Sequence, residues 1–284
     1  MWATDLDDEG SAICGLDGEG LTDVDGEGLT WSGPDEAASA DEGITGVTFD
    51  SDGHRLVGVL YLARGTEPKP TALLLHGCPG LEKNLDLAVR LRDRGWNALL
   101  FHYRGCWGSA GRYDLRTVPR DVTAAVGYLT ACPRVDPGRI AAVGHSMGGW
   151  AAIVTASTDP RLRAVAVYGA APRLGAGLLL RPERVEQEFT RFLAVTPEDF
   201  AVQLATVGEQ MDALGAVTAI RPRPLLVVHG TRDRWVPVAQ ARELAARAGP
   251  WCRYVEVDGA NHAFSWHRAE LAELIADWLS EGLS

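Results

Sequence analysis

Short apolar runs, separated by turn residues, recur along most of this chain. Residues 71–75, 96–103, 140–143, 162–168, 224–229 and 253–257 read as strands, several of them apolar on both faces. Between them apolar residues recur at helical spacing. Residues 82–94 form one such stretch, with Leu85, Ala88, Val89 and Leu91 on one face. Residues 118–131, the run 150–154, and residues 236–248 and 267–279 form the others. Ahead of these, 47–49 and 56–62 flank the turn Asp50-Ser51-Asp52-Gly53. Strands alternating with helices predict an α/β architecture, a mostly parallel twisted sheet with helices on both faces. Between 172 and about 220 the rhythm stops: no strand pattern, two helical stretches at 183–192 and 197–214. This predicts a small helical cap inserted into the sheet domain. Right-handed crossovers then bring the loops at 76–80, 104–111, 144–149, 230–237 and 258–264 to one sheet edge, where ligands bind.

Composition changes the picture mainly at the start. Residues 1–43 hold 13 Asp and Glu and no Lys or Arg, so the net charge of −11 belongs to that stretch and the rest carries +2. Rich in Gly, Asp, Glu and Ser and without a sustained period, it reads as a disordered tail ahead of a domain at 44–284. Asp17-Gly18-Glu19-Gly20-Leu21-Thr22 recurs at 25–30, but two hexapeptides make no solenoid and the spacing of an EF-hand loop is missing. The nearly neutral body offers no nucleic-acid surface. No run reaches the roughly 18 apolar residues of a membrane span. An acidic N-terminus without signal-peptide regions predicts a cytoplasmic protein. Five scattered cysteines, Cys14, Cys78, Cys106, Cys132 and Cys252, have no zinc spacing and read as free thiols; no metal and no cofactor is expected.

The chemistry centres on Gly144-His145-Ser146-Met147-Gly148, set between the 140–143 strand and a helical run. Strand, G-x-S-x-G and helix in that order form a nucleophile elbow. A serine hydroxyl needs a base, and the base an orienting acid. His262 follows the last predicted strand and Asp233 the one before it, giving the order Ser146, Asp233, His262. His76, His145 and His229 stand at strand ends inside motifs and read as structural rather than as the base. Asp258, followed by Gly259, reads as a turn residue. Two oxyanion donors are expected, the N–H of Met147 and that of Cys78, since Pro79 has none. His145, Trp107 and Trp235 are candidate substrate contacts. Trp150 and Trp266 fall near the same loops and read equally as core. Arg173, Arg181, Arg184 and Arg191 in the cap read as a solvated face before an anion site. Cys78 and Cys106 read as packed thiols rather than a redox pair.

From about residue 44 onward the chain resembles an α/β-hydrolase. His-Gly-x-x-Asp-x-x-Val-Pro at 229–237 and Tyr-Arg-Gly-x-x-Gly-Ser at 103–109 are similar to the prolyl-oligopeptidase and dienelactone-hydrolase branch. The family's fold, triad and oxyanion positions agree with the assignments above. No β-propeller precedes the domain, and the closing loop Gly-Ala-Asn-His is shared by many esterases; both point away from a peptidase. The expectation is a serine hydrolase that cleaves a carboxylic ester or lactone through an acyl-enzyme on Ser146. A peptidase or amidase acting on short peptide-like substrates, and an acyltransferase, are the alternatives with the same residues.

Overall fold

The computed structural model describes residues 43–175 and 182–283. The segment read as a disordered tail lies outside the described residues, except Gly43, which opens the first strand. The described residues contain eight strands: β1 (Gly43–Ser51), β2 (His54–Leu62), β3 (Lys69–Leu75), β4 (Asn97–Phe101), β5 (Val135–His145), β6 (Leu162–Tyr168), β7 (Leu225–Gly230) and β8 (Cys252–Val257). They form one sheet in the order β1-β2-β4-β3-β5-β6-β7-β8. β1 and β2 pair as a hairpin whose turn residues Asp52 and Gly53 both take positive φ, 52° and 79°. β2 meets β4 antiparallel, and every later pairing is parallel.

The period of two along each strand explains the continuous apolar runs. Leu73 and Leu75 of β3, Leu99 and Phe101 of β4, and Val165 and Val167 of β6 enter one core. Their neighbours Leu74, Leu100 and Ala166 enter a second core on the other face. The helices α2 (Val118–Ala131), α3 (Met147–Thr158) and α7 (Val238–Ala248) cover the first core. The helices α1 (Leu85–Asp93) and α8 (Arg268–Gly282) cover the second. Between β6 and β7 lie α4 (Pro182–Glu188), α5 (Pro197–Gln210) and α6 (Ala213–Ala216). No helix among the described residues is long and apolar enough to cross a membrane.

Two helices differ from the pattern read in the sequence. The 82–94 stretch becomes helical only at Leu85, because the buried Asn84 takes a left-handed φ of 59°. Its inward residues are Leu87, Ala88 and Leu91, while Leu85 and Val89 face outward. The 197–214 stretch breaks after Gln210, since Asp212 turns out of the helix and caps α6 by accepting the amides of Leu214 and Gly215, each at 3.0 Å.

β3 pairs with β4 on one side and β5 on the other; α1 leaves β3 toward one face and α3 leaves β5 toward the other. That divergence opens a crevice at the C-terminal ends of β3 and β5. Gly77 and Cys78 follow β3, and Ser146 follows β5.

Candidate active site

Ser146 is the single residue between β5 and α3, at φ 54° and ψ −120°. A non-glycine residue held there stores strain of about 1–3 kcal/mol and needs firm support. The Ser146 amide donates to Tyr168 O at 3.2 Å, and its carbonyl accepts the amides of Gly149, Trp150 and Ala171. The flanking glycines permit close approach. A Cβ on Gly148 would lie 2.1 Å from Leu75 O, and one on Gly144 would lie 2.3 Å from Gly148 O. The start of α3 therefore seats directly on the end of β3. Cys78, Ser146 and Met147 consequently line one cavity. The Met147 N–H belongs to the first helical turn, which has no intrahelical acceptor for it.

His262 lines the same cavity from the loop after β8. Its Nδ1 lies 2.7 Å from Asp233 Oδ2. The Asp233 side chain is wholly buried and that of His262 is 18% exposed. Asp233 Oδ1 accepts the amides of Trp235 at 2.8 Å and Val236 at 2.9 Å, which fixes the carboxylate. Burial works to raise the Asp233 pKa, but the bond to His262 and the two amides outweigh it and hold the group below its ordinary value. Asp258 is exposed and accepts Thr231 Oγ1 at 2.9 Å. The Ser146 hydroxyl makes no capping bond to the first turn of α3.

The other strand-end histidines are locked in the framework. His76 bonds Gly77 O at 2.7 Å through Nδ1, and its Nε2 lies 3.3 Å from His102 Nδ1. His229 bonds Val236 O at 2.9 Å. His145 stacks on Tyr168 with ring centroids 4.7 Å apart, and its Nε2 lies 3.0 Å from His262 O. Nε2 must carry the proton to bond a carbonyl, so His145 holds the backbone of His262 in place. Burial first, and then the neighbouring His262, push the His145 pKa down to about 3, so its ring is neutral.

The cavity measures about 250 Å³. Leu174, Phe200 and Leu204 from the insertion between β6 and β7, with Leu115 ahead of α2, give it an apolar wall. Trp235, His145 and Cys78 line it. Trp107 does not; its indole turns behind the loop after β3 and donates to Pro79 O. Trp150 is fully buried core, its Nε1 bonded to Met211 O, whereas Trp266 is 93% exposed and belongs to neither core nor cavity. The apolar wall itself escaped the sequence reading. Its signal was Phe200, Leu204 and Val207, spaced along one face of α5.

Arg173 pairs with Glu243, and Arg191 lies over the Phe192 ring; neither lines the cavity. The side chains of Arg181 and Arg184 lie outside the described residues. Burial pushes the Cys78 thiol up to about 12 and raises that of Cys106 as well, so neither is a ready nucleophile. The described cysteines form no disulfide. No group of three or more metal-ligating side chains occurs among the described residues.

The fold and this constellation define an α/β hydrolase. A model of the "Alpha/beta hydrolase family" matches residues 72–274, and the chain belongs to that family. An uncharacterized protein of Mycobacterium tuberculosis (strain ATCC 25618 / H37Rv) is 32% identical over 219 residues, covering 76% of this chain and 71% of that one. The pimeloyl-[acyl-carrier protein] methyl ester esterase of Xanthomonas campestris pv. campestris is 31% identical over 173 residues, covering 47% of this chain and 68% of its own. Among solved structures, the dienelactone hydrolase of Anabaena variabilis shares the fold with a TM-score of 0.61 at 19% identity, over 86% of this chain and 100% of that one.

Proposed function

We propose that the protein is a serine esterase for carboxylic esters with a compact apolar acyl group, lactones included. The observation that carries this reading is one apolar cavity lined by both Ser146, on its strained elbow, and His262, whose Nδ1 meets the buried Asp233 at 2.7 Å. In the reaction, Ser146 Oγ attacks the ester carbonyl carbon while His262 Nε2 takes its proton. Asp233 stabilises the resulting imidazolium. The oxyanion accepts hydrogen bonds from the amides of Cys78 and Met147. Collapse of the tetrahedral intermediate breaks the C–O bond, and His262 protonates the departing alcohol. Water, deprotonated by His262, then attacks the acyl-enzyme, releasing the carboxylic acid and restoring Ser146. The apolar wall receives the acyl chain. The esterase named above, 31% identical, supports ester over amide chemistry.

Hydrolysis of p-nitrophenyl esters from acetate to decanoate tests this. Wild-type protein is expected to turn over the short and medium esters, and Ser146→Ala to lose all turnover. Near-wild-type rates in Ser146→Ala would end the reading. A single burst of nitrophenol without turnover would point instead to transfer of the acyl group to an acceptor other than water.

A further inference from the structure

We infer that Trp107 is a positioning residue: its indole clamps the loop that carries the Cys78 amide and ties that loop to the insertion flanking the cavity. The inference rests on the esterase reading above. Trp107 Nε1 donates to Pro79 O at 2.6 Å. Pro79 has no N–H of its own, so its carbonyl is the backbone group by which the stretch is fastened after Cys78, while His76 Nδ1 holds Gly77 O before it at 2.7 Å. A Cβ on Gly80 would lie 2.6 Å from that same Nε1, so the backbone passes close to the indole only as glycine. Trp107 itself takes a left-handed φ of 49°, which turns its ring behind the loop instead of into the cavity.

The arm that bears the indole is rigid. Arg104, buried, bonds Asp121 through Nε at 2.8 Å and Ser51 Oγ at 2.9 Å. Ser109 Oγ donates to His102 O at 2.6 Å. Gly105 O accepts the Ala194 amide at 2.7 Å, joining this arm to the insertion. The indole stacks on Phe192 of the insertion, with centroids 5.2 Å apart and planes 13° from parallel. The Lys83 amine lies 4.1 Å from the ring centroid. An oxyanion donor acts by being in place before the charge forms, so the value of the Cys78 amide depends on whatever stops its loop from moving. His76 supplies that stop on the Gly77 side, and the Trp107 bond to Pro79 O supplies it on the other.

Trp107→Phe keeps a ring for the stack and removes the N–H. With a p-nitrophenyl ester, kcat is expected to fall about tenfold, short of the roughly 10²–10³ lost with a whole oxyanion donor, while KM stays within about twofold. Affinity for an alkylboronic acid, which forms a tetrahedral adduct on the serine, should fall in step with kcat/KM. A merely structural role would not tie those two quantities together. Unchanged kcat with a raised KM would make Trp107 a substrate contact and overturn the inference, as would no change at all. Should Trp107→Phe not fold, Phe192→Ala removes the stacking partner from a partly exposed position. It is expected to lower kcat in the same direction by about threefold, and an unchanged kcat would overturn the tie to the insertion. Labelling with a fluorophosphonate separates the two readings. Wild type that is not labelled overturns both. Wild type that is labelled, with Trp107→Phe labelled equally fast, overturns the clamp alone.

Discussion

Replacing Asp233 by Asn removes one charge and one acceptor from a site where both oxygens are committed. Oδ1 accepts two backbone amides, at 2.8 and 2.9 Å. Oδ2 faces His262 Nδ1 at 2.7 Å and His229 Nε2 at 3.4 Å. Asn offers one oxygen and one NH₂ where three donors, the two amides and His262 Nδ1, bond the carboxylate, the His229 proton being given to Val236 O. If the NH₂ turns toward the amides, two backbone N–H groups lose their acceptor and the 233–236 loop must shift. If it turns toward His262, Nδ1 must become the acceptor. The proton then sits on Nε2, where it blocks uptake of the Ser146 proton. The second arrangement matches a serine-protease triad, in which the same change lowers kcat by about 10⁴. Donors left facing donors also cost about 1–3 kcal/mol of stability. The assay is kcat for a p-nitrophenyl ester together with urea unfolding of the variant. Asp258→Asn is the control, because that carboxylate is exposed and accepts Thr231 Oγ1, so its kcat should stay near wild type. If Asp233→Asn kept more than about a tenth of wild-type kcat, or if Asp258→Asn were the more damaging change, the assignment of the acid would be wrong.

Two further outcomes are expected. Phe200, 1% exposed, closes the apolar wall, and Phe200→Ala should move the acyl-chain optimum toward longer esters while costing about 3–5 kcal/mol in urea unfolding; an unmoved optimum would show that the acyl group lies elsewhere. Burial pushes His76, His102 and His145 down to about 4, 3 and 3 from an ordinary 6.5. Below pH 6.5 the unfolded chain therefore binds protons the folded one refuses. Stability is full above that pH and falls as pH drops, by about 1.4 kcal/mol per unit for each histidine. Urea unfolding at pH 7.5, 6 and 5 measures this, and a flat unfolding free energy would refute the neutral, buried state of these rings.

The sheet was legible in the sequence because a parallel strand with helices on both faces must be apolar at every position. Leu73, Leu74 and Leu75 show this, alternating between two cores. Helix faces were less legible. The stretch 82–94 has two candidate apolar stripes, and only the left-handed turn at Asn84 decides that Leu87, Ala88 and Leu91 go inward. The break at Asp212 did carry a local sign, a capping residue inside an otherwise helical run. The tryptophans mark the limit. Trp107, Trp150 and Trp266 all stand next to loops of the site, yet one braces a loop, one is core and one is almost fully exposed. Adjacency in sequence says nothing of the backbone angle that aims a side chain, and for Trp107 that angle has the sign glycine prefers.

The histidines show the same limit from the side of chemistry. The chain has seven, and position at a strand end does not separate a base from a framework residue, since His76, His145 and His229 share it. Even a carboxylate partner is not decisive, because His229 also lies within 3.4 Å of Asp233. What separates them is the use of the second nitrogen. His229 is wholly buried, with Nε2 on Val236 O and Nδ1 facing no partner, so it has no nitrogen that a substrate can reach. His262 turns Nδ1 to Asp233 and remains partly exposed where it lines the cavity beside Ser146. A base needs one nitrogen anchored by a negative charge and the other open to the reacting proton. Among the described histidines near Asp233, His262 meets both conditions, whereas His229 is anchored by the Val236 carbonyl and has no open nitrogen.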